Sequence, residues 1–175
     1  MKNRYWRRYV GTAILAMTMP LSALAMGGES CSNGTLHGIY AFTITGQIVH
    51  PDGTVDARAG VAAASFDGAG NLSQEDFVMS SSLGGPVPSP DTDPHSGFHT
   101  NETGTYTVNS DCTGNAAIDF PGGIVVKLML VVYDSGTNLH TVVSSITLPN
   151  GSSPGTPIIR SEGRREALNN RGAGE

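Results

Sequence analysis

At 175 residues, with 14% charged side chains against a usual ~25% and 23 glycines, the chain suits one domain of short strands and many turns rather than helices. Its 10 basic and 15 acidic residues give a net charge of −5; four of the bases, Lys2, Arg4, Arg7 and Arg8, fall at the N-terminus, and without them six bases face 15 acids, a net charge of −9. Such a surface repels nucleic acid and anionic lipid, and no basic-aromatic patch offsets it, so nucleic-acid binding is excluded.

In chain order, the basic start is followed by the mostly apolar stretch Tyr9 to Leu24 and by Ala23-Leu24-Ala25, small residues of the kind signal peptidase accepts. This predicts a signal peptide over 1–25, export to the periplasm or medium, and no stable membrane insertion after cleavage, since Thr12, Thr18, Pro20 and Ser22 interrupt a stretch already short for spanning. A domain over 26–168 and a disordered tail over 169–175 complete the organisation. Cys31, just past the leader, and Cys112, in the turn Ser110-Asp111-Cys112-Thr113-Gly114, are the only cysteines. Behind an export signal they predict one long-range disulfide tethering the N-terminal lead.

Period-two alternation then marks about eight strands. In Gly38 to Val49, Tyr40, Phe42, Ile44 and Ile48 share one face. Val55 to Phe66 follows, and Asp67-Gly68-Ala69-Gly70-Asn71 supplies turn residues leading into Leu72 to Ser80. Ser80 to Asn101, with Pro86, Pro88, Pro90 and Pro94, is too long for an ordinary connection and reads as a surface excursion or a lid. Glu102 to Asn109, Asn115 to Phe120, Ile124 to Tyr133, Leu139 to Thr147 and Ile158 to Glu166 complete the set. Ile124 to Tyr133 is apolar on both faces except for Lys127, whose stem is read as carrying its charge out to solvent; the outer face predicts a cover, either a second copy of the chain or the C-terminal segment. Successive antiparallel strands remove their edges by closing, so the expected fold is all-β, a single antiparallel closed barrel of roughly eight strands, with a β-sandwich as the alternative.

Three sets of residues are candidates for chemistry. Tyr40, Phe42 and Tyr106, inward aromatics, together with Glu75 of the Glu75-Asp76 pair, are the candidate ligand-binding residues; alternation sends only one of two adjacent carboxylates inside. Paired acid-base work would need a facing carboxylate, for which Asp119 is the strand-placed partner. Asp91, Asp93, His95 and His99 offer metal-ligand atoms close in sequence, but no regular spacing fixes their geometry, so no metal and no cofactor are assigned. No Gly-x-Ser-x-Gly context supports a hydrolase triad.

Gly38-Ile39-Tyr40-Ala41-Phe42, Ser65-Phe66-Asp67-Gly68-Ala69-Gly70-Asn71 and Gly104 through Gly114, in that order, resemble a group of secreted bacterial proteins of the allene oxide cyclase-like type, related in shape to lipocalin-type barrels. The resemblance spans most of Cys31 to Arg165 and implies a barrel fold; it carries over no catalytic residue. The function expected is a secreted barrel binding a small apolar ligand. Two alternatives stand beside it: a cyclase or isomerase that restrains a flexible substrate, and an envelope-associated interaction protein whose barrel is solid.

Overall fold

The computed structural model describes residues 30–166, so the expected signal peptide and C-terminal tail lie outside the described residues. A short 3-10 turn, Asn33–Thr35, precedes β1 (His37–Val49), β2 (Val55–Asp67), β3 (Asn71–Ser80), the two-residue β4 (Gly85–Pro86), β5 (His99–Val108), β6 (Thr113–Phe120), β7 (Ile124–Tyr133), β8 (Asn138–Thr147) and β9 (Thr156–Arg165). Eight of these close into an antiparallel barrel, in which β2 pairs with both β1 and β3, β3 continues to β5, and β9 returns to β1; β4 pairs only with the end of β3. Because every barrel strand has a partner on each side, the barrel itself has no open edge among the described residues, and the sandwich alternative falls away.

The alternation that marks the strands also sets which side chains enter. Tyr40, Phe42 and Ile48 of β1, Ala62, Ala64 and Phe66 of β2, and Leu130 and Val132 of β7 are buried inside, while Thr43, Thr45, Thr103, Thr105, Glu162 and Arg164 stand outside. An apolar interior with a largely polar exterior is the reverse of a membrane-spanning barrel. Among the described residues no helix is long and apolar enough to cross a membrane. Lys127 is exposed as expected, whereas its outer-face neighbours Met129 and Val131, beside Val142 of β8, have no cover among the described residues.

One end of the barrel is sealed. Phe66 sits between Tyr40 and Tyr106, with ring centroids 5.2 and 5.1 Å away in edge-to-face contact, and Leu36 plugs the space beneath them at 0% exposure. The hydroxyls of these buried tyrosines are satisfied by the backbone: Tyr40 Oη donates to the Gly136 carbonyl, and Tyr106 Oη to the Leu36 carbonyl at 2.8 Å. Asn33 Oδ1 accepts the Val108 N–H at 2.8 Å, and the Cys31–Cys112 disulfide, Cα–Cα 5.0 Å, ties the lead to the β5–β6 turn. Sequence thus correctly anticipates both the bond and its tethering of the N-terminal lead.

Candidate functional site

The opposite end is hollow. A cavity of about 260 Å³ opens at the rim, walled by apolar side chains such as Ile48, Ile118, Phe120, Val126, Ile146 and Ile159. Two inward-phase positions there carry no side chain: Gly46, between Ile44 and Ile48, and Gly60, between Arg58 and Ala62. A Cβ at either would meet neighbouring backbone, 2.2 Å from the Ile158 carbonyl oxygen at Gly46 and 2.5 Å from the Phe77 carbonyl oxygen at Gly60, so close strand approach requires glycine and leaves the interior open. Val87, Pro88 and Ser89 of the proline-rich segment line the mouth, and Val87 N–H is bonded to the Val78 carbonyl at 2.8 Å. Val87 to Ser89 of that segment are therefore part of the rim. Deeper in, toward the sealed end, a void of only about 40 Å³ remains, and Ile44, Gln74, Ile118, Leu128, Thr141 and Ser161 border both spaces.

Into this largely apolar interior the chain sends one cluster of three ionisable groups. His99 Nδ1 lies 2.7 Å from Asp76 Oδ1, and both side chains line the cavity. Glu102 lies beside them: one ligand atom from each of Asp76, His99 and Glu102 falls within 4.8 Å of the others. Gln74 Nε2 donates to Glu102 Oε2 at 2.9 Å, whereas Glu102 Oε1, also buried, has no hydrogen-bond partner. Burial, and after it the negative charge of Asp76, push the Glu102 carboxyl up to about 8. Burial likewise raises Asp76, against the pull of His99.

The local backbone explains how His99 and Glu102, three residues apart on one strand, both face inward. Between Gln74 paired with Glu102 and Asp76 paired with His99, β3 spends one residue, Glu75, and β5 spends two, Thr100 and Asn101. This is a β-bulge, and Asn101 takes the left-handed conformation (φ 59°) that asparagine tolerates. The extra residue shifts the phase of the strand and turns His99 into the barrel.

Nearer the rim, Arg58 also lines the cavity, with Nη2 2.6 Å from Asp56 Oδ2 in an ion pair that lacks hydrogen-bond alignment. Asp56, 1% exposed, accepts the Ser80 hydroxyl at 2.8 Å and the Ser82 N–H at 3.0 Å through Oδ1. Burial opposes its charge, but these hydrogen bonds and Arg58 prevail and hold its carboxyl at about 2.

The candidates from sequence are dispersed by the fold. Glu75 is a correction: it stands on the outer face, and Asp76 is the carboxylate that enters, because Asp76 shares the phase of Leu72 and Ser80. Tyr40 and Tyr106 belong to the sealed end and border neither void, while Phe42 borders only the small one. Asp119 is exposed on the outer face and opposes nothing in the interior. Asp91, Asp93, His95 and His99 do not gather. Asp93 accepts the His95 N–H and the Ser96 hydroxyl of its own turn, Asp91 accepts the Asn101 amide, and His99 alone turns inside. Sequence reasoning missed Glu102, His99's true partners and Asp56. The available signals were Leu72 and Val78 sharing the phase of Asp76, and an asparagine at 101 able to break the phase of β5.

Compared with known proteins, the chain matches no protein-family model and no curated protein.

Proposed function

We propose that this protein is an exported binding barrel that holds one small, mainly apolar molecule in its open half, with a polar group of that molecule directed toward Asp76 and His99. The observation that carries this reading is a cavity of about 260 Å³ with mainly apolar walls, on which Asp76 and His99 stand side by side. An apolar cavity of ~150 Å³ takes benzene, so by proportion this one suits a molecule of about ten non-hydrogen atoms. It is below the ~300–1,000 Å³ of typical drug-sized sites, which argues against a long lipid chain. The solid-barrel alternative draws no support from such an interior. The resemblance to the allene oxide cyclase-like group, whose fold is a barrel of this kind, is part of the proposal, as is export, which the disulfide favours.

A second reading, an isomerase or cyclase, is favoured by one specific feature: a Glu102 carboxyl held protonated near neutral pH beside the Asp76–His99 pair, a buried proton donor next to the cavity. Native mass spectrometry of the mature protein, purified from its own periplasm or medium, tests the main reading. The expected result is a reproducible adduct of about ten non-hydrogen atoms, lost when Ile118→Trp fills the cavity wall. Bare protein from native source, with no small apolar probe retained by the wild type, contradicts it. Recovery of the adduct chemically rearranged, relative to what was supplied, favours the enzyme.

A further inference from the structure

We propose that Asp76, His99 and Glu102 form a binding site for one divalent transition-metal ion of the zinc class. The inference does not depend on an organic ligand. Its first support is charge: two carboxylates and one imidazole lie 4%, 1% and 4% exposed, for Asp76, Glu102 and His99 respectively, in a barrel interior that is mainly apolar apart from the Arg58–Asp56 pair nearer the rim. Without a cation this cluster can hold only one ionised carboxylate against one imidazole, because a second, unpaired buried carboxylate is costly. A divalent cation with a neutral imidazole brings the sum to zero.

The second support is independent of charge. Glu102 Oε1 is buried with no hydrogen-bond partner, and a buried polar atom of that kind is rare in a folded protein unless an ion or another group takes its lone pairs. Gln74, by donating to Glu102 Oε2, holds the carboxylate in place, as an outer partner does for a metal ligand. The bulge at Thr100–Asn101 brings His99 into the barrel at the same level as Asp76, its paired residue. Asp76 and His99 both line the open cavity, so the site has a path to solvent and a side left free for water or an oxygen of a bound molecule.

The donor set decides the metal. One imidazole and two carboxylates suit zinc or a neighbouring borderline ion, whereas calcium asks for about six to eight oxygens that this corner does not offer. The three donor atoms lie within 4.8 Å of one another. Zinc bonds of ~2.0–2.1 Å would set them about 3.4 Å apart, so the 2.7 Å contact between His99 Nδ1 and Asp76 Oδ1 would open while Glu102 closes in.

The test uses the mature chain, stripped with chelator and dialysed against zinc chloride. Elemental analysis should find about one zinc per folded chain, and affinity should fall about tenfold or more in Glu102→Gln and in His99→Gln, each checked for folding by circular dichroism. His95→Ala, in the exposed loop, should bind as the wild type does. Uptake below about a tenth of an equivalent by the wild type overturns the proposal, as does uptake that both Glu102→Gln and His99→Gln leave unchanged. If a variant does not fold, imidazole nitrogen NMR of the wild type decides. A zinc-induced shift at His99 supports the site; shifts confined to His37, His50, His95 or His140 overturn it.

Discussion

Where β1 begins, Tyr40, Phe66 and Tyr106 stack edge to face beneath a disulfide-tethered lead; where it finishes, the same barrel leaves about 260 Å³ unfilled around Asp76 and His99. The first end is built from large apolar side chains whose few polar atoms are bonded to backbone. The second holds inward-phase glycines, a β-bulge, a buried ion pair and a carboxylate oxygen without a partner. Eight strands of one alternating pattern thus divide the work: stability is concentrated at the sealed end, and the open end carries groups that cost stability and are suited to binding.

That division predicts unequal responses to truncation. Phe66→Ala, at the centre of the aromatic stack, should cost about 3–5 kcal/mol in urea unfolding. Val126→Ala, whose methyls already face open space, should cost about 1 kcal/mol or less. Equal losses at the two ends would break the comparison.

Next in size is the disulfide. Joining residues 81 apart corresponds to roughly 4.5 kcal/mol in the chain-entropy picture, and native strain or denatured-state structure usually trims this. The double variant Cys31→Ser, Cys112→Ser should therefore lose about 2–4 kcal/mol yet retain small-molecule binding, because the bond sits at the other end from the cavity. Loss of binding in a folded double variant would show that the ends are coupled.

The smallest effect expected is a pH dependence from the open rim. The Asp56 carboxyl is held at about 2 in the folded chain. A depressed carboxyl stabilises fully above its ordinary unfolded value of ~3.9, and the contribution is lost as pH falls from there toward 2. Thermal melts of the wild type and of Asp56→Asn between pH 5 and 2 measure it. The wild type should lose more of its melting temperature over that window; identical slopes would remove Asp56 as a source.

Much of the fold was legible because alternation is a strong signal when one face is buried. The predicted strand Ile124 to Tyr133 matches β7 (Ile124–Tyr133) at both ends, and Val55 to Phe66 and Leu72 to Ser80 fall within β2 and β3. Closure was not separable from a sandwich by the same signal, since both arrangements alternate inward and outward residues. The site was harder to read for a physical reason. Around Glu75-Asp76, Leu72 and Val78 favour one phase while Phe77 and Met79 favour the other, so composition alone did not decide which carboxylate enters. At His99 the bulge interrupts the period itself, and a strand read from Glu102 onward stopped short of the residue that pairs with Asp76. The Cys31–Cys112 bond needed no periodicity: two cysteines allow one intramolecular pairing.

The hollow open end and the filled sealed end can be tested together without knowing the ligand, by recording methyl NMR spectra of the protein under xenon pressure. Xenon enters apolar cavities. The account predicts saturable shifts at Ile48, Val126 and Ile146, which line the cavity, and none at Leu36 and Val132 of the sealed end. Shifts absent from the open end, or equal at the two ends, would contradict it.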